Sequence, residues 1–176
     1  DVIKIDGTLY VLLDNILEMF GYTKTETGNT IDLCAQYSEM IFDSDARVQY
    51  YGDWSQMSTP SAYGGTTTRS TKAGCSAYLE FYGTGVKLYM GKGTGAAMCD
   101  VYIDGVRMAR ADAYSMTAVQ KALAFEIGGL ESGKHSILVV HAGVKNSSET
   151  ADKNLNINID AFEIIKKLYK PSWMNE

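Results

Sequence analysis

The chain has 176 residues, 45% of them hydrophobic, enough to bury one good core with at most a small appendage. A formal net charge of −5 argues against a phosphate-backbone partner or an anionic membrane surface. No apolar run approaches the roughly 20 residues of a spanning helix, and 17 glycines and 12 tyrosines against two prolines suit turn-rich β structure.

In chain order, IKIDGTLYV predicts a short hairpin around Asp6-Gly7. LLDNILEMF then places Leu13, Ile16, Leu17 and Phe20 at helical spacing, stopped by Gly21. YTKTETGNTIDL reads as a polar β-arm with a turn near Gly28-Asn29. Hairpin, helix and arm are too little to fold alone, so residues 1–34 are expected to be an appendage that docks on something. The chain opens on Asp1 rather than Met, as expected where an upstream part has been removed.

From residue 37 the pattern is β, with strands expected at 37–42, 46–51, 66–71, 75–82, 85–91, 98–103, 106–112, 121–127, 135–142 and 156–165. So many short strands across 37–166 predict an all-β fold: a two-sheet antiparallel β-sandwich with jelly-roll connections, followed by a tail at 167–176. Within it, Gly83, Gly85 and Asp104-Gly105 are expected to supply the positive backbone angles of sharp turns. Segments 52–65, 91–97, 113–120 and 143–155 read as long loops, the places where function gathers.

Catalytic chemistry finds little support. There is no G-x-S-x-G elbow, and GVKLYMGKG departs from a phosphate loop in length and in Gly93, so it reads as a hairpin loop. His135 and His141 share a face with Ile137 and Val139 and read as structural. The aspartates lie mostly at strand ends and turns, and no two stand out as the carboxylate pair of a glycosidase. The chain is therefore expected not to be an enzyme. Cys75 and Cys99 each head a strand, either as small buried thiols or bridged to one another.

Sugar binding needs an aromatic ring for the apolar face of a pyranose and planar polar groups for its hydroxyls. Trp54 and Tyr63 in 52–65, Lys92 in 91–97, and Asn146 and Asn154 in 143–155 are the candidates, with Arg69 reaching the same rim. Trp54 follows a strand directly, so it either stacks on ligand or plugs the end of the sandwich. No clean exposed stripe of tyrosines can be read on a sheet face, so an edge site built from those three loops is expected.

VIKIDGTLYVLLDNILEMFGYT resembles the terminal repeat of the copper-amine-oxidase N-terminal-like stalk domain, over residues 1–33. DSDARVQYYGDWSQ, YGGTTTRSTKAGCSAYLEFYGTGVKLYMGKGTG, VYIDGVRMARAD, LESGKHSILVV and NINIDAFEI, in that order over 43–165, are similar to the galactose-binding-like jelly-roll modules of bacterial carbohydrate-active and cell-surface proteins. The resemblance implies a carbohydrate-binding-type module of a secreted or surface-attached multidomain protein, with a polysaccharide or glycan and neighbouring domains as partners. It requires no cofactor. Modules of this fold often clamp a cation between first and last strand, which makes Glu39, Asp43 and Asp160 a candidate calcium set. Asp160 reads equally as a turn cap or a partner of Arg47. The alternative function is a structural or adhesin module, a spacer or self-assembling filament protomer, because the apolar stripe in 1–33 invites a neighbour's surface.

Overall fold

The computed structural model describes residues 2–5, 8–11, 22–27, 30–150 and 155–167, with side chains over 37–150 and 155–166. Two compact units emerge, residues 1–38 with 166–176, and residues 39–165. In the first, β1 (Val2–Ile5) pairs antiparallel with β2 (Thr8–Val11), as the Asp6-Gly7 signal predicts. There too β3 (Tyr22–Thr27) pairs with β4 (Thr30–Phe42), Thr27 opposite Thr30. The expected helix around Leu13–Phe20 lies outside the described residues.

The second unit is a sandwich of two antiparallel sheets. Its strands are β5 (Gln49–Tyr51), β6 (Ser55–Ser58), β7 (Thr66–Ser70), β8 (Ser76–Gly83), β9 (Gly85–Lys92) and β10 (Ala97–Ile103). They continue with β11 (Val106–Asp112), β12 (Val119–Ile127), β13 (Gly133–Lys145) and β14 (Ile157–Lys167). One sheet runs β11-β10-β13-β8-β5; the other runs β12-β9-β14-β4, with β7 also on β14 and β6 on β7. Alternation decides which face goes in: Leu79, Val101 and Ile137 from the first sheet meet Leu88, Ile159 and Phe162 from the second, all fully buried. At about 25 cal/mol per Å² of apolar surface, burying side chains of this size is the main favourable term.

Three details differ from the sequence expectation. Gly83 and Gly85 are not among the residues with positive φ, whereas Asp104 (φ 51°) and Gly105 (φ 80°) are. The latter pair makes the tight β10–β11 hairpin, Ile103 opposite Val106. At Gly83 and Gly85 the chain instead steps from one sheet to the other. A Cβ there would lie 2.5 Å from the carbonyl oxygens of Ile165 and Ile127, so these glycines serve close backbone approach. Likewise GVKLYMGKG is not a hairpin loop, because β9 and β10 belong to different sheets. Within the expected 52–65 loop, the exposed β6 pairs with β7 from Ser55↔Arg69 to Ser58↔Thr66.

Candidate functional site

A polar row crosses the outer side of the second sheet. Ser55 on β6 stands opposite Arg69 on β7, Arg69 opposite Asn158 on β14, and Asn158 opposite Gly91 on β9. On β12 the register shifts between Val119↔Lys92 and Ala122↔Met90, which brings Gln120 alongside Gly91. Ile157 and Ile159 point into the core, so period-2 alternation turns Asn158 outward; Met90 does the same for Gly91.

Among the described residues, three buried side-chain atoms lack a hydrogen-bond partner: Arg69 Nε, Asn158 Oδ1 and Gln120 Oε1. All three lie in this row. Buried polar atoms are nearly always satisfied, so three orphans in one place set this row apart; they are closed to solvent and lie within the packed side chains. The orientation of Asn158 follows from its neighbours. Asn156 donates from Nδ2 to the Gly95 carbonyl (2.8 Å), which leaves its Oδ1 to accept from Asn158 Nδ2 (3.1 Å). Asn158 Oδ1 is therefore the atom left over. Gly91 makes a notch between the two amides: a Cβ there would sit 3.0 Å from Gln120 Oε1 and 3.6 Å from Asn158 Nδ2.

One step along the sheet, Asp160 pins the neighbouring segments. Its fully buried carboxylate accepts the backbone N–H of Tyr63 (2.8 Å) and of Lys121 (3.2 Å). Burial pushes its pKa above the usual carboxylate value, against the pull of those two donors. Tyr63 packs edge-on against Tyr89, ring centroids 5.2 Å apart, and the Lys121 ammonium lies 4.9 Å over the Tyr63 ring. Tyr89 donates its hydroxyl to Glu163 (2.7 Å), and burial together with that carboxylate pushes its pKa up to about 12.

A cavity of about 590 Å³ adjoins the row, lined by Trp54, Ser55, Met57, Arg69 and Lys72 among others. Trp54 is half-buried, its ring 5.0 Å from that of Tyr50 and its Nε1 donating to the Tyr51 carbonyl. It thus packs against the end of the core and also offers surface to the cavity.

Of the candidate sugar-binding residues, Trp54 and Arg69 come together in this cavity. Tyr63 is engaged by Tyr89, Lys121 and Asp160. Lys92 ends β9 opposite Val119, and Asn146 donates to Asp112 and accepts from the Ser148 N–H. Asn154 lies outside the described residues. Gln120 and Asn158, which complete the polar row, were not among the candidates from sequence. The signal for Asn158 is NINID itself, three polar residues alternating with two core isoleucines.

The candidate calcium set is held by the chain's own donors. Glu39 pairs with Arg47 (2.7 Å), Asp43 accepts from the Thr66 and Thr68 hydroxyls (2.7 and 2.8 Å), and Asp160 accepts the two backbone N–H groups above. Among the described residues no group of three or more His, Cys, Asp or Glu could hold a metal ion. These residues do not fit calcium, which takes about six to eight oxygens.

The histidines stand as structural groups. His141, 2% exposed, accepts the Gly143 N–H at Nδ1 and donates from Nε2 to the Leu155 carbonyl. His135 faces a carbonyl, that of Glu131, and the Asp104 carboxylate, so both ring nitrogens donate and its pKa is raised. Cys75 and Cys99 are free and buried, and burial pushes the Cys99 thiol up to about 12. Among the described residues no helix is long and apolar enough to cross a membrane.

No protein-family model matches the chain. It is 35% identical over 100 residues to the A type blood N-acetyl-alpha-D-galactosamine deacetylase of Flavonifractor plautii, covering 57% of this chain and 13% of that enzyme. It is 31% identical over 126 residues to the A type blood alpha-D-galactosamine galactosaminidase of the same organism, covering 72% of this chain and 11% of that enzyme. The chain therefore spans only about a tenth to an eighth of these relatives' length. Among solved structures, it is similar to a family two carbohydrate esterase from Cellvibrio japonicus (TM-score 0.51, 16% identity, covering 77% of this chain and 36% of that one). A two-domain esterase active on acetylated mannans, co-crystallised with mannopentaose, is also similar (TM-score 0.50, 19% identity, 76% and 37%). At these identities the structures establish the shared fold: a two-sheet sandwich of a kind found in carbohydrate-active proteins.

Proposed function

We propose that residues 39–165 form a non-catalytic carbohydrate-binding module of a larger secreted or surface protein. Its role would be to hold that protein against a glycan. The observation that carries this reading is the cavity of about 590 Å³ that offers the half-buried Trp54 ring together with Arg69 and Lys72. Sugars bind to such surfaces, a ring against apolar atoms and hydroxyls paired to planar groups. Two relatives are enzymes named for amino sugars of a glycan, and the chain matches only a small share of each, as suits an accessory piece. We place the site at this cavity; the expectation from sequence was a loop edge built from 52–65, 91–97 and 143–155.

A glycan array probed with the purified chain tests the reading, followed by titration of the best ligand. Binding in the millimolar to micromolar range, roughly −4 to −8 kcal/mol, is expected for a single open site. Absence of binding to every glycan at millimolar concentration would remove its support.

A further inference from the structure

Resting on the carbohydrate-binding reading, we propose that the Trp54 cavity takes an acidic sugar, whose carboxylate or sulfate ester is held by Arg69 and Lys72. The chain has four arginines, at 47, 69, 107 and 110. Arg47 pairs with Glu39 and Asp45, and Arg107 and Arg110 both pair with Asp100. Arg69 is the exception. Among the described residues neither Arg69 nor Lys72 forms an ion pair, and both line the same cavity. Arg69 Nε is closed to solvent, whereas the two terminal guanidinium nitrogens are neither hydrogen-bonded nor among the buried unpaired atoms. That end of the side chain is therefore the part that meets the cavity. Lys72, two residues beyond the end of β7, is exposed.

The balance of charge favours an anion here. Asp53 also lines the cavity, which leaves one net positive charge in a chain whose formal net charge is −5. Trp54 lines a second cavity, of about 470 Å³, with the opposite balance from Asp43 and Asp45. There the carboxylates are already answered, Asp43 by the Thr66 and Thr68 hydroxyls and Asp45 by Arg47. The cations left for a ligand to meet lie on the Arg69 side. An acidic sugar fits the whole set: its anionic oxygens accept from the guanidinium and the ammonium, its hydroxyls donate to Asp53, and its apolar ring face meets Trp54. A neutral hexose leaves both cations unanswered, and an amino sugar sets a third positive charge beside them. A bare inorganic anion offers Asp53 no donor and Trp54 no ring face.

The test titrates the full chain with the methyl glycosides of galactose and glucose, of their uronic acids and of galactosamine, and with galactose 6-sulfate, followed by NMR. Titrations run at about 20 mM and about 500 mM NaCl, because salt screens exposed charges. At low salt a uronic acid or the sulfate ester should bind about tenfold tighter than its neutral parent, with galactosamine weakest. The tighter of the two acids tells a carboxylate site from a sulfate site. High salt should narrow the preference severalfold, and so should Lys72→Gln and Arg69→Gln. Thermal melting checks that the variants fold; if Arg69→Gln does not, the exposed Lys72→Gln decides. Equal affinity for acidic and neutral sugars, tighter binding of galactosamine, or a preference unmoved by salt or by the folded variants would each overturn the acidic site and leave sugar binding standing. No binding of any sugar would overturn both.

Discussion

Replacing Asp160 by alanine removes the acceptor of two backbone N–H groups at once, that of Tyr63 at 2.8 Å and that of Lys121 at 3.2 Å. Hydrogen bonds to a charged acceptor contribute about 1.5–3 kcal/mol each, and the longer one belongs at the low end, for a gross loss of about 4 kcal/mol. Against this, the substitution relieves a fully buried carboxylate near Asp43, an offset on the order of 1–2 kcal/mol. The net expectation is a destabilisation of about 2–3 kcal/mol at pH 7. Urea unfolding reads it directly: with a slope of about 2 kcal/mol per M, the midpoint falls by about 1 M. The penalty should also depend on pH. The folded pKa of Asp160 is raised, so the stability gained by holding its proton is complete below the unfolded value near 3.8. It is lost as pH rises through the folded value, so the penalty is larger at pH 3 than at pH 7. A midpoint unchanged within about 0.2 M, or a penalty that grows with pH, would refute the reasoning.

Asp100 is held down to about 2 by Arg110 and then Arg107, so its contribution is present above 3.8 and fades as pH falls toward 2. Because both arginines are about half exposed, Asp100→Asn should cost only about 1 kcal/mol at pH 7 and nothing near pH 2, measured by denaturant unfolding at each pH. The Glu131 carbonyl and the Asp104 carboxylate raise the pKa of His135, so its imidazole resonances should titrate above 6.5. Asp104→Asn should lower that midpoint. The stability due to the His135 contacts is present below 6.5 and lost as pH rises through the folded value. Cys75 and Cys99 should react with a thiol reagent only on unfolding, and peptide mass mapping should find them unbridged.

The strands with one buried face were legible because alternation is local: Leu79 and Phe81, or Val86, Leu88 and Met90, announce a β-strand within a few residues. β6 was not, because SQMS is exposed throughout and is a strand only by its pairing with β7. The roles of Gly83 and Gly85 were misassigned for a related reason. A glycine needed for close approach to Ile165 or Ile127 looks the same in sequence as one needed for a turn. The polar row is the least legible feature. Arg69, Gln120 and Asn158 are far apart in the chain and adjoin only through the order of β7, β14, β9 and β12. Trp54 and Arg69, which line one cavity, were legible as candidates because they flank or occupy turn-rich segments, whereas the amides lie on the strands themselves.

The most direct test of the account is titration of the ¹⁵N-labelled chain with the best ligand from a glycan array, reading chemical shifts residue by residue. Binding in the Trp54 cavity predicts perturbation of the Trp54 indole, Ser55, Met57, Arg69 and Lys72, with Lys92 and Asn146 little changed. Shifts confined to the 91–97 and 143–155 loops, with the Trp54 indole and Arg69 silent, would contradict it.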